Sequence, residues 1–403
     1  MTQTGVTMTV EEIPKGWRKV TIGEIGDVST SSVDKKLQPD ENKIQLINYM
    51  DVYKNLHKTI YASQRYMVVT AKNSQIESSC VKKGDVLITP TSETTDDIGK
   101  AAVVMEEIPN TLFSYHLVRL RFKQQVNLNF KRFLFNTEDI YKKYCLIAQG
   151  ATRFVLNKGD LLQVEILLPP EKEQEKIAEI LMTVDDDIEE TDNIVDNCER
   201  IKTGLMQTLI TKGIPGKHKK FKKTEIGEIP EDWEVKKLID IAPLQRGFDL
   251  PSQMLKDGKY PVCYSNGISN HHSEFKVKGP GVFTGRSGTI GNVFYVEKDF
   301  WPHNTALWVT NFCKNYPKYI YYMYTYLKLD KFDAGTSVPT LNRNDVHNHK
   351  IAIPPLSEQK EIVLILENLD LRIKNEQDKR YQLENLKKSL MQKLLSGEIR
   401  VRV

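Results

Sequence analysis

The chain has 403 residues, 40% of them hydrophobic and 27% charged, with a formal net charge of +4. That length predicts two or three domains; no apolar run approaches the ~18 residues of a membrane span, and the polar N-terminus lacks a signal-peptide core. Five scattered cysteines (Cys80, Cys145, Cys198, Cys263, Cys313) without a CxxC pair argue against a disulfide framework or zinc site and for a reducing cytoplasm, while the modest charge permits a nucleic-acid partner without demanding one.

Residues 1–12 read as a polar tail. Ile-Pro-Lys-Gly-Trp (Ile13 to Trp17) then opens a domain at 13–168. Short runs rich in Val, Ile and aromatics, bounded by Gly, Pro, Asn and Ser, predict strands at 44–49, 85–89, 101–105, 117–122 and 164–168. One helix is expected at about 128–146. Pro169-Pro170 stops what precedes it, and Pro suits the first turn of a helix. A long helix follows over 169–212. Residues 213–228 hold lysines at 217, 219, 220, 222 and 223 among Gly and Pro, which predicts a flexible linker.

The pattern then starts again. Ile-Pro-Glu-Asp-Trp (Ile229 to Trp233) opens a second domain at 229–353, with strands expected at 260–264, 281–284, 292–296, 306–309 and 350–353. A helix is expected at about 317–329, then Pro354-Pro355 and a second long helix over 354–399, with Ser357 as its expected N-cap. At one constant offset, Leu156-Asn157 matches Leu341-Asn342, Asp160 matches Asp345, Glu173-Gln174 matches Glu358-Gln359, and Asp185 matches Asp370. Leu205-Met206-Gln207 also matches Leu390-Met391-Gln392. Gap-free matching over that length marks an internal duplication.

Each long helix carries a stripe at alternating spacings of four and three, the seam of a coiled coil. The first reads Ile177, Leu181, Val184, Ile188, Thr191, Val195, Cys198, Lys202, Leu205 and Leu209. The second reads Ile362, Leu366, Leu369, Ile373, Glu376, Arg380, Leu383, Lys387, Leu390 and Leu394. Lys202 and Lys387 interrupt it at the same place, beside Ile201 and Leu386, so the stripe is expected to drift there. About forty residues at ~1.5 Å each make a rod of roughly 60 Å. Its wet stripe calls for a partner, and the other copy is the obvious one. The fold expected is therefore α+β: two tandem mixed α/β domains, each followed by a long helix, with the helices pairing as an antiparallel coiled coil.

Catalytic signatures are missing. There is no GxxxxGK[ST] loop. Gly285, Gly288 and Gly291 are not spaced as a dinucleotide fingerprint, and no Asn/Asp-Pro-Pro-aromatic sequence is present. His347-Asn348-His349 aligns with a strand entry in the first half. The acid–lysine strings at 39–43 and 232–236 lack the separation that builds a metal site.

What remains is polar, loop-borne and duplicated. The loop closing each domain offers Thr152, Arg153, Asn157 and Lys158 in one half and Thr336, Ser337, Asn342 and Arg343 in the other. Short hydroxyls approach phosphates and base edges closely, Arg pairs with guanine and Asn with adenine. Leu156, Leu341, Asp160 and Asp345 are instead expected to dock and cap these loops. A second loop pair offers Thr89, Thr91 and Ser92 against Arg286, Ser287 and Thr289. Ser265 and Asn266 form a third candidate, and Tyr115-His116 against His303-Asn304 a fourth. The scaffold repeats while the loops differ, which predicts unlike ligands for the two domains.

An Ile-Pro-x-x-Trp opening, a Gly-x-Thr/Ser…Leu-Asn loop, Pro-Pro-x-x-Glu-Gln-x-x-Ile and a long helix ending Leu-Met-Gln-x-Leu, all present twice, resemble the specificity subunit of Type I restriction-modification systems. The resemblance spans essentially the whole chain and is specific in the helices and their flanks. It implies a non-catalytic, cytoplasmic subunit that defends against foreign DNA. Two target-recognition domains would each read one half of a bipartite asymmetric site in double-stranded DNA. The helices would space the readers and dock two methyltransferase subunits that modify adenine at N6. S-adenosylmethionine would serve those subunits, and ATP and Mg the motor–nuclease subunits, with no cofactor on this chain. At ~3.4 Å per base pair, the rod limits the half-site separation to about 18 base pairs. The alternative reading is a duplicated coiled-coil scaffold that binds proteins, without sequence-specific DNA recognition.

Overall fold

The computed structural model describes residues 13–333, 335 and 337–402. The chain divides into two compact units. One comprises residues up to 190 and from 380 onward, the other residues 191–379. Each unit therefore holds one globular domain and half of each long helix.

In the first unit a sheet is built from Gly26–Thr30, Val118–Phe122, Val86–Ile88, Ala101–Val104 and Thr59–Ile60, neighbours in that order. Its central strands are buried on both faces, and their period of two divides the side chains between two cores. Val86, Ile88, Ala101 and Val103 face a core shared with the long helices. Leu87, Ala102 and Val104 face a second core with Ile47 and Phe113. A three-stranded sheet, Met67–Ala71, Asn42–Ile47 and Thr111–Phe113, lies beyond. Arg18–Thr21 pairs with Glu165–Leu168 and so joins the domain's start to its end.

The second unit repeats this order. Leu244–Arg246, Ala306–Val309, Gly281–Gly285 and Val293–Val296 make the main sheet. Gly267–His272, Tyr260–Tyr264 and Trp301–Pro302 make the smaller one. Glu234–Lys237 closes on Lys350–Ile353. The first domain differs by an inserted strand at Thr59–Ile60 and by the short helices Tyr49–Tyr53 and Asn73–Ser79.

Three local expectations change. The helix at 128–146 is two helices, Leu128–Leu134 and Glu138–Ile147. The Thr137 hydroxyl accepts from the Ile140 N–H at 3.2 Å and starts the second one; Thr followed by two acids is an N-terminal signature. The lysine-rich 213–228 segment is ordered, because Phe221–Thr224 and Gly227–Pro230 form a hairpin. The second long helix starts at Leu356, so Ser357 lies inside it and Pro355 supplies the first carbonyl, to the Gln359 N–H at 3.0 Å.

The long helices run Glu171–Thr211 and Leu356–Ser396. In the first unit Ile177 and Leu181 share a core with Leu390 and Leu394. In the second, Leu205 and Leu209 share one with Ile362 and Leu366. Early residues of one helix thus meet late residues of the other, an antiparallel pairing in each unit. All fifteen apolar seam positions, Val184, Ile188, Leu369 and Ile373 among them, are buried or half-buried.

The stripe does not drift at the lysines. Ile201 and Leu386 are 52% and 47% exposed, whereas Lys202 and Lys387 stay on the seam. Lys202 Nζ meets Asp370 Oδ1 at 2.5 Å, and Lys387 Nζ meets Asp185 Oδ1 at 2.5 Å. Each lysine reaches the duplicated aspartate of the facing helix, which is the reason the seam tolerates it.

The duplicated Glu-Gln is a clamp at each helix start. Glu173, 1% exposed, accepts from Trp17 Nε1 at 2.9 Å and from Arg400 Nε and Nη2 at 2.7 and 2.8 Å. Glu358 likewise accepts from Trp233 Nε1 at 3.0 Å, and His218 Nε2 lies 2.7 Å from its other oxygen. Gln174 and Gln359 accept from the N–H groups of Asn127 and Tyr316, 2.9 and 2.8 Å away, and so tie in the internal helices. His218, Asp232 and Glu358 lie within 4.8 Å of one another. Asp232 faces Nδ1 while Glu358 faces Nε2, so the carboxylates hold opposite edges of one ring.

Candidate nucleic-acid interface

In the first domain, Asn42–Ile47 and Thr111–Phe113 run parallel, with Ile47 beside Phe113. Their C-terminal ends emerge together and present Asn48-Tyr49 next to Ser114-Tyr115-His116. The Ser114 N–H donates to the Ile47 carbonyl at 3.0 Å. Thr91 and Ser92 pair with Val155 and Phe154, which brings the closing loop to the same place. Tyr49 Oη donates to the Thr91 carbonyl at 3.1 Å, and Arg153 Nη2 donates to Thr91 Oγ1 at 3.2 Å. The Tyr115 and His116 rings lie 3.9 Å apart, with Tyr115 47% exposed. Burial, with the nearby Lys35 and Arg153 charges, pushes the His116 pKa down, so the imidazole offered at neutral pH is uncharged.

The second domain makes the same convergence with other side chains. Tyr260–Tyr264 and Trp301–Pro302 run parallel, presenting Ser265-Asn266 beside His303-Asn304. The Tyr264 and His303 rings lie 4.6 Å apart. Thr305 Oγ1 accepts from the Ser265 N–H at 3.3 Å and lies 3.0 Å from His303 Nδ1. Ser287 bridges Thr340, the Gly288 N–H donates to the Pro339 carbonyl at 3.0 Å, and the Leu341 N–H to the Arg286 carbonyl at 2.8 Å. Gly285 is needed here, because a Cβ would fall inside the carbonyl oxygen of Thr289 and press on that of Ser265. Burial pushes the His303 pKa down.

Other predicted positions fall differently. Contrary to expectation, Thr89 is fully buried, its hydroxyl donating to the Lys100 carbonyl at 3.4 Å; it closes the strand end and offers nothing to a ligand. Asn157 and Asn342 are the N-caps of Lys158–Leu162 and Arg343–Asn348. Asn342 Oδ1 accepts from the Asn344 N–H at 3.0 Å. Lys158 and Arg343 begin those helices and are exposed, as are Thr152, Asn266, Thr289 and Ser337. Thr336 lies outside the described residues. The His-Asn-His string is structural: His347 Nε2 accepts from the Leu244 N–H at 2.8 Å, and His349 packs on Phe332.

Tyr49 and Tyr53 were not expected here. Their rings stack at 5.3 Å, and the Tyr53 hydroxyl donates to Asp97. Asn48 with Asp51, whose carboxylate accepts the Asn48 N–H at 2.7 Å, is a capping pair that shows where the strand stops. In the second domain Asp249 is added, holding Arg246 at 3.3 Å and the Asn304 amide.

The model of the Type I restriction modification DNA specificity domain matches twice, at residues 14–195 and 230–385. The chain belongs to this family. Family membership makes each half a DNA specificity domain and the chain a Type I specificity subunit. It is 27% identical to the chain assigned as specificity subunit of the type I restriction enzyme MjaX of Methanocaldococcus jannaschii, over 98% of this chain and 96% of that one. Its fold is similar to a chain from a structural study of complex assembly and conformational transition in the type I system. That likeness has a TM-score of 0.65 and 15% identity, over 96% of this chain and all of that one. The S subunit from M. genitalium gives a TM-score of 0.55 at 15% identity, over 95% and 96% of the two chains. Among the described residues no helix is long and apolar enough to cross a membrane.

Proposed function

We propose that each domain reads one half of a bipartite, asymmetric site in double-stranded DNA through its converging loops. The first domain would use Thr91, Ser92, Tyr115, His116, Thr152 and Arg153, with Tyr49 added. The second would use Ser265, Asn266, Arg286, Ser287, Thr289, His303, Asn304 and Ser337. The observation that carries this is the convergence of separate loops at equivalent places on two like scaffolds, with unlike side chains. A duplicated frame with divergent polar loops suits two readers of different sequence.

The paired helices set the gap between the half-sites and dock two methyltransferase subunits for adenine-N6 methylation in the cytoplasm. Motor–nuclease subunits join for restriction. This chain supplies address rather than chemistry; S-adenosylmethionine, ATP and Mg belong to the partners. The test is methylation of a randomised duplex library by the chain in complex with its methyltransferase partner. A split motif supports the reading. Arg153→Ala should then alter one half-site and leave the other intact. Methylation without a split motif, or with both halves altered together, would remove it.

A further inference from the structure

Arg286, in the second domain's loop cluster, keeps little freedom. Its N–H donates to the Thr305 carbonyl at 2.8 Å, and its carbonyl accepts from the Leu341 N–H at 2.8 Å. Its Nε donates to the Asn304 carbonyl at 2.8 Å. The backbone is held from two sides and the guanidinium plane from a third. The two terminal nitrogens, Nη1 and Nη2, are what the side chain still offers, and among the described residues neither has a hydrogen-bond partner. Arg153, the arginine of the first domain's cluster, is exposed, and one of its terminal nitrogens is spent on Thr91.

Arg286 also makes no ion pair among the described residues, and Asp249 offsets its charge only from a distance. The side chain is half-buried. The nearby carboxylate, Asp249, already holds Arg246 and the Asn304 amide. Burial, with the Arg246 charge, pushes the Arg286 pKa down, although a guanidinium stays protonated at neutral pH. A fixed, planar, half-buried pair of donors without an ion-pair contact calls for a planar pair of acceptors.

Resting on the reading of this domain as a DNA reader, we infer that Arg286 reads a guanine, its Nη1 and Nη2 donating to O6 and N7 in the major groove. Guanine alone among the bases puts two adjacent acceptors there; adenine sets a donor beside its N7 and repels the fork. A phosphate would accept the same fork. It needs no fixed plane, however, and is met as well by exposed cations at loop tips. The recessed, three-way anchoring favours the base edge.

The experiment uses the full complex with its methyltransferase partner and a randomised duplex library. The wild-type motif should contain a G·C pair in the half-site that Arg153→Ala leaves intact. Arg286→Lys keeps the charge but loses the fork. Discrimination at that one pair should fall roughly ten- to hundredfold, with the other positions unchanged. Native complex on a duplex carrying 7-deazaguanine at that position lacks only the N7 acceptor and should show a loss in the same direction, which covers a variant that fails to fold. An unaltered motif in Arg286→Lys would overturn the assignment. So would an even loss across all sequences with a shallower salt dependence, the mark of a phosphate contact. If the wild type yields no split motif, the reading of the domains as half-site readers fails instead.

Discussion

Replacing Asp185 by leucine should cost the first unit far more than replacing its partner Lys387. The Asp185 side chain is 12% exposed and accepts from two cations, Lys387 Nζ on the facing helix at 2.5 Å and the Arg132 guanidinium. A hydrogen bond to a charged group contributes about 1.5–3 kcal/mol net. Asp185→Leu removes both and leaves two largely enclosed cations facing each other, for a cost of about 3–5 kcal/mol. Lys387→Leu removes one bond, leaves Asp185 paired with Arg132, and gains about 1 kcal/mol of apolar burial on the seam, so its net cost should be ~0.5–2 kcal/mol. The twin node predicts an intermediate value. Asp370 holds Lys202 and the neutral Tyr322 hydroxyl, both at 2.5 Å, so Asp370→Leu strands one cation rather than two and should cost ~2–3 kcal/mol. Native-state hydrogen exchange reads these costs locally, as opening free energies of helix amides on either side of each node. Equal costs for Asp185→Leu and Lys387→Leu, or a larger cost for the lysine, would refute the reasoning that the carboxylate anchors the seam.

Further outcomes follow from particular contacts. Lys131 is 6% exposed, its Nζ donating to the Gly84 carbonyl at 3.0 Å, and burial pushes its pKa down to about 8 from 10.5. The folded value lies below the unfolded one. Its contribution is therefore most favourable above the unfolded pKa and is lost as pH falls through about 8. Lys131→Met should stabilise the first domain by ~1 kcal/mol at pH 7 and flatten the rise in stability between pH 8 and 10.5, as read by urea unfolding. Gly99 has φ +81°, and a Cβ there would enter the Tyr144 ring, so Gly99→Ala should cost ~2–4 kcal/mol. Gly159, in a helix with open space beside its Cα, should gain about 0.5 kcal/mol as alanine; thermal melts compare the two. Seven residues inserted in one long helix should keep the seam and lengthen the gap of the methylated motif. An unchanged gap would remove the spacer role.

The helices were readable because one periodicity runs through them unbroken, and even their lysines fall on the seam. What misled was the apolar pair Ile201 and Leu386, since hydrophobicity alone says nothing about the aspartate waiting across the interface. The Glu-Gln repeat was visible but mute. Its partners Trp17 and Arg400 are remote in sequence, and only folding brings them to Glu173. The strands were legible from Val, Ile and aromatic runs, with errors at ends such as Thr89, where an apolar run closes inside the core. The candidate loops could be named one by one, but their convergence could not. It depends on Asn42–Ile47 running parallel to Thr111–Phe113, a pairing that no local pattern announces. Tyr49 reads as the end of that strand from sequence, because the capping of Asn48 by Asp51 weighs little beside an apolar run.

The most direct test of the central claim is a map of N6-methyladenine across the host genome with this gene intact and with it deleted. A split, asymmetric motif should be present in the first and gone in the second, and the map delivers both half-sites and the gap at once. Methylated split motifs that persist unchanged after deletion, in a cell where the chain is expressed with its methyltransferase, would contradict it.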